Sequence, residues 1–96
     1  MTMKTLNFQG AILQITRSQL KNKKLKIVIT NPSHKGRATF HIGDSRYQNY
    51  ADKSGLLPSS MLHGDEKRRR AYKNRHRRNV AKGGITPATL ADYILW

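Results

Sequence analysis

The chain has no cysteine, and only five acidic residues stand against nineteen Lys and Arg. The missing thiols exclude a disulfide framework and thiolate metal sites, and they remove the strongest common nucleophile. The scarcity of acid leaves Asp44, Asp52 and Asp65 as the only contributors to a metal-dependent nuclease centre, and they follow no spacing signature. Long apolar runs are also absent. No segment approaches the roughly 20 residues a membrane-spanning helix needs, and the N-terminus has no signal-peptide core, so no membrane insertion is expected. Nor does any stretch carry the strong apolar face of an interfacial helix. With 36% hydrophobic residues, two Phe and one Trp in 96 positions, the core must be small, and residues 1–96 make one basic domain at most. A formal charge of +14 on so small a body works against compactness and calls for an anionic partner.

The cations gather most densely in Gly64-Asp65-Glu66-Lys67-Arg68-Arg69-Arg70-Ala71-Tyr72-Lys73-Asn74-Arg75-His76-Arg77-Arg78-Asn79-Val80, with eight Lys or Arg in seventeen residues. Most of these are good helix formers, with no internal Pro or Gly. Asp65 and Glu66 suit a helix N-terminus, Arg77 and Arg78 a C-terminus, and Gly83-Gly84 a stop. The pattern predicts one basic helix over about 65–82. Tyr72, His76 and Val80 share a narrow semi-apolar seam with Arg69 nearby, while Lys67, Arg70, Lys73, Arg77 and Arg78 point largely the other way. Like charges three and four apart repel by a few tenths of a kcal/mol per close pair. A solvated face is the bland reading of such a ridge. A polyanion laid along it is the sharper one, and basic clusters of this kind also serve as nuclear-import signals.

Upstream, alternation dominates. Leu6 and Phe8 alternate with polar residues, then Ala11, Leu13 and Ile15 do so on the opposite parity, which predicts one extended stretch over 4–17 with a bulge or bend at Gly10. Leu25, Ile27 and Ile29 define a second strand with Lys24 and Lys26 on its other face. Ala38, Phe40 and Ile42 define a third, joined to the second by a turn over 31–36. The expectation is an α+β domain: an antiparallel sheet of about three strands (about 4–42), a loop (43–63), the basic helix, and a short C-terminal helix (about 87–96). Tyr47 and Tyr50 are spaced to share one side of a helical turn. Leu56, Leu57, Met61 and Leu62 should pin the loop to the core. Thr86 is a good N-cap, Pro87 suits the first helical position, and Ile85 and Leu90 have the spacing of a hydrophobic staple.

From position 42 to 96 the chain resembles a family of small basic proteins encoded by large eukaryotic DNA viruses (nucleocytoplasmic large DNA viruses) and related elements. The residues that carry the likeness are Gly43, Tyr47, Tyr50, His63-Gly64-Asp65-Glu66, Arg68, Tyr72, Arg75-His76 and Leu95-Trp96. The chain departs from the family pattern in an insertion over 51–60, in Asn79-Val80-Ala81-Lys82 where a Trp is expected, and in a final segment reduced to one Trp. The resemblance implies a virion component or genome-associated protein and carries over no established enzyme activity. It implies localisation in the virion, and in host cytoplasm or nucleus during assembly.

No catalytic, metal or cofactor role is assigned to any residue. His63 and His76 are thirteen residues apart, about 20 Å along a helix at about 1.5 Å per residue, too far to share an ion; structural, hydrogen-bonded histidines are expected. His63 suits a hydrogen bond at the helix entry or a stack on Tyr50. His76 and Tyr72 suit inward packing. No Ser sits in a nucleophile elbow. The leading expectation is a non-enzymatic structural protein that contacts nucleic-acid phosphates, with little sequence selectivity, through Lys67, Arg68, Arg70, Lys73, Arg75, Arg77 and Arg78 on the helix and Lys24, Lys26 and Arg37 on the sheet. Two alternatives stay open. One is a minor capsid or cement protein whose basic helix docks an acidic capsid surface while Leu95 and Trp96, by default packed on the domain's own core, instead anchor in a partner or a second subunit. The other is a regulatory DNA- or RNA-binding module of the infected cell.

Overall fold

The computed structural model describes residues 2–31, 34 and 36–96. Four strands, β1 (Lys4–Phe8), β2 (Ala11–Arg17), β3 (Lys23–Ile29) and β4 (Thr39–Asp44), form one antiparallel sheet in sequential order, followed by helices α1 (Glu66–Ala81) and α2 (Pro87–Leu95). The arrangement is α+β, with four strands where about three were expected. The added strand comes from position 10, where the chain does not bend but reverses. Phe8 pairs directly with Ala11, and Gln9 and Gly10 both have positive φ (51° and 79°), as a two-residue type I′ turn requires. In such a hairpin every even residue faces an odd one. The switch of apolar parity between Phe8 and Ala11 is therefore the register itself, with Leu6 opposite Leu13.

One face of the sheet is continuous hydrocarbon. Ile15 lies opposite Ile27, Leu13 opposite Ile29, Leu25 opposite Ile42 and Ile27 opposite Phe40. Leu90, Ile94 and Leu95 of α2 complete this core with Leu57 from the preceding loop. Ala38, expected to be buried with Phe40 and Ile42, is exposed because β4 begins one residue later. The expected turn over 31–36 falls partly on Pro32, Ser33 and Lys35, which lie outside the described residues.

The 51–60 segment folds around one carboxylate. Asp52 accepts from the backbone N–H groups of Ser54, Leu56 and Leu57, each at 2.9 Å, and from the Ser54 hydroxyl at 2.6 Å. With Leu57 thereby turned into the core, Leu56, Met61 and Leu62 pack beside it, as their positions suggested. The loop also ties to the end of α2, since Ala51 N–H donates to Leu95 O and Lys53 N–H to Ile94 O. Thr86 caps α2 reciprocally with Thr89, Pro87 opens it, and Tyr93 stacks on Phe8 with centroids 4.7 Å apart.

Candidate nucleic-acid interface

Helix α1 starts where Asp65 accepts from the N–H groups of Lys67 (2.9 Å) and Arg68 (3.3 Å). Capping satisfies two of the four donors a helix leaves unpaired and sets negative charge at the positive end of the dipole. None of its sixteen residues is buried. Among the described elements it packs against α2 alone, and α2 in turn packs on β4. The helix is therefore held by a few side chains. Tyr72 stacks flat on Trp96, with centroids 4.0 Å apart and planes 5° apart, and His76 continues the row at 4.2 Å from Tyr72. Lys73 Nζ lies 3.0 Å from Asp92 Oδ1. Arg69 turns inward, donating from Nε to the backbone oxygen of Trp96 (2.7 Å) and from Nη1 to Glu66 (3.1 Å), with its guanidinium 5.3 Å from the Tyr50 ring centre. Burial, with Asp92 nearby, pushes the Tyr72 phenol above its ordinary range.

His63 sets the entry to α1. Its Nδ1 accepts from Asp65 N–H at 2.9 Å, so the neutral ring carries its proton on Nε2, a buried donor with no acceptor among the described residues. Burial and the nearby Arg68 push its pKa down, against the opposing pull of Asp65. The ring stands edge-on to Tyr50 and 5.3 Å from Trp96. His63, Trp96, Tyr72 and His76 thus form one row, and among the described residues no three His, Asp or Glu side chains cluster as a metal site would require.

The phosphate-contact set divides. Lys67, Arg75, Arg77 and Arg78 are exposed and form no ion pair among the described residues, while Arg68 and Arg70 are exposed with loose carboxylate partners at 3.7 and 4.0 Å. Lys73 is on the same helix but engaged by Asp92. The sheet cations do not join them, because no strand packs on α1. Lys26 is half-buried, and Arg37 is exposed with its guanidinium over the Phe40 ring at 4.7 Å.

Lys24 requires correction. Expected on the outer face of the sheet, it is 3% exposed, and its ammonium donates to Tyr47 O and, at 2.7 Å, to Asn49 Oδ1. Its cross-strand neighbour is Gly43, where a Cβ would stand 3.2 Å from Lys24 Cβ and 3.3 Å from Leu95 Cδ1. The bare glycine leaves the lysine stem a path inward, to acceptors that only the fold assembles. Desolvation lowers its pKa, with Asp44 opposing. Leu95 is wholly buried in this chain's own core, which corrects its reading as a partner anchor, and Trp96 lies half-buried against Tyr72. The outward placement of Lys24 follows from period-two alternation, which reports which way a residue starts and not where a long side chain ends.

Tyr47 and Tyr50 do not share a side. Tyr50 is half-buried beside Arg69, whereas Tyr47 is 64% exposed with the Arg46 guanidinium 5.4 Å from its ring centre. Arg46 is held by Asp44 at 2.8 Å, and that hydrogen bonding lowers the Asp44 pKa to about 2. Between this segment and α1 runs a groove of about 740 Å³, lined by Tyr47, Gln48, Arg68, Tyr72, Arg75, His76 and Trp96 among others. No helix among the described residues is long and apolar enough to cross a membrane. Comparison with protein-family models, with curated proteins and with solved structures finds no match.

Proposed function

We propose that this is a non-enzymatic, virus-encoded structural protein of the virion that lays the outer face of α1 along nucleic-acid phosphates. One observation carries the binding role. A sixteen-residue helix with no fully buried residue holds eight cations, and its last two turns hold Arg75, Arg77 and Arg78 with no ion pair among the described residues. Folding gains little from those three arginines, and their mutual repulsion opposes the helix. A row of phosphates reverses the sign of that interaction and releases condensed counterions. Contacts of this kind position the protein without reading sequence. The viral setting and the virion rest on the resemblance over 42–96.

An acidic capsid surface is the alternative partner for the same ridge. The burial of Leu95 weighs against that reading, because it removes half of the apolar anchor such docking would use. The test is duplex binding as a function of salt. With about five phosphates neutralised, log affinity should fall with log salt at a slope of about −4 to −5, and Arg75→Gln/Arg77→Gln/Arg78→Gln should reduce that slope by about 3. A flat salt response removes the proposal. Mass spectrometry of purified particles tests the virion assignment separately, since absence from them leaves a regulatory module of the infected cell.

A further inference from the structure

We propose that the groove between α1 and the 43–49 segment receives an unpaired nucleobase, so that the preferred ligand is a single strand or a locally unpaired site and not an intact duplex. The inference rests on the reading of α1 as a phosphate-binding ridge and names what that ridge is for. The groove, about 740 Å³, falls within the span of roughly 300–1,000 Å³ found for small-molecule sites. Its α1 wall presents Arg68, Tyr72 and Arg75 on successive turns. The two arginines stand seven residues apart, about 10 Å along the axis at about 1.5 Å per residue, one on either side of the Tyr72–Trp96 stack. Each is therefore placed to hold a phosphate flanking a base that enters between them.

The opposite wall presents Tyr47. Tyr72 and Trp96 cover each other and His76 covers Tyr72, but Tyr47 keeps most of its ring in solvent and backs onto a guanidinium that Asp44 fixes. An aromatic ring supported by a fixed arginine is the element from which single-strand stacking sites are built. Charge selects the occupant. Among the described residues Asp44 is the one acid lining the groove, and Arg46 neutralises it, so Arg68 and Arg75 favour an anionic aromatic ligand over a neutral one. A duplex keeps its bases stacked inside and has none to offer.

Trp96 is the only tryptophan and lines the groove, so its fluorescence reports occupancy directly. The intact protein is titrated with an oligothymidylate and with a blunt duplex of equal length at one salt concentration. The expected result is tighter binding of the single strand by on the order of 10-fold, with quenching of Trp96 emission. Tyr47→Ala, at an exposed position that leaves the circular dichroism unchanged, should erase most of that preference while leaving duplex affinity alone. His76→Ala serves as a second variant from the opposite wall. Equal affinity for the two forms, or a single-strand preference that survives both substitutions, overturns the groove and leaves the phosphate ridge standing. Failure to bind either form overturns both.

Discussion

The sheet with α2, and helix α1, are stabilised in opposite ways. In the first, Leu13, Ile15, Leu25, Ile27, Leu90 and Leu95 are fully covered, and hydrophobic burial does the stabilising. In the second no residue is fully buried, and a cap, one ion pair, one arginine turned inward and one aromatic stack hold sixteen residues in place. Two kinds of cation go with the two regions. Lys24 is enclosed and hydrogen-bonded, whereas Arg75, Arg77 and Arg78 project into solvent with no carboxylate among the described residues close enough to pair. The difference teaches where this chain has been shaped for folding and where it carries charge at folding's expense.

The sharpest way to break that contrast is to cut both regions. Ile27→Ala at the centre of the sheet should cost about 2–5 kcal/mol, enough to lower Tm by ten degrees or more in a domain of this size. Arg75→Gln/Arg77→Gln/Arg78→Gln should leave Tm unchanged or raise it slightly while weakening nucleic-acid binding. Thermal denaturation of the two variants decides. If the arginine variant melts as early as the core variant, the outer face of α1 is part of the scaffold and the contrast fails.

Lys24 comes next in size. Lys24→Ala leaves Asn49 Oδ1 and Tyr47 O without their donor in a closed space and should cost about 1–3 kcal/mol in chemical denaturation. The slope of binding against salt should stay as it is, because an enclosed ammonium neutralises no phosphate. A reduced slope would return Lys24 to the surface set.

The fate of Lys24 also shows how far the residues speak for themselves. Leu25, Ile27 and Ile29 announce a strand through strict alternation, and Thr86-Pro87 announces α2 through local capping, so both are legible within a few residues. The parity change at Gly10 is legible as a break, but choosing a hairpin over a bend requires pairing Leu6 with Leu13. The ridge on α1 is legible because its signal is charge at helical spacing. Lys24 reaching Asn49, Tyr72 lying on Trp96 and Tyr47 facing a groove depend on residues more than twenty positions apart, where no local period operates.

The attachment of α1 can be loosened without touching its ridge. Asp65→Ala removes the acceptor for two helix N–H groups and should cost about 1 kcal/mol, against about 0.5 kcal/mol or less for Asp65→Gly. Hydrogen exchange at Lys67 and Arg68 should report it first. Protection that survives Asp65→Ala would mean that the aromatic row alone holds the first turn.

The smallest effect concerns the same entry point and has a definite sign. His63 is held neutral in the fold, with its pKa pushed below the ordinary 6.5 by burial and Arg68, while Lys24 adds to the push and Asp65 opposes it. Tyr50 and Trp96 flank the ring with their aromatic faces and edges. Above pH 7 neither the folded nor the unfolded chain protonates this ring, so its contribution does not change with pH. Below 6.5 the unfolded chain takes up the proton first, and stability should fall until the folded histidine also titrates. Protonation there also ends the acceptance of Asp65 N–H by Nδ1, loosening the first turn of α1. The Asp44–Arg46 pair gives a separate window, since a carboxyl lowered to about 2 loses its contribution only as pH falls from 3.8 toward 2. Denaturation midpoints between pH 7 and 5 should therefore decline in the native chain and decline less in His63→Gln. Equal slopes in the two proteins would show that His63 makes no pH-dependent contribution to the fold.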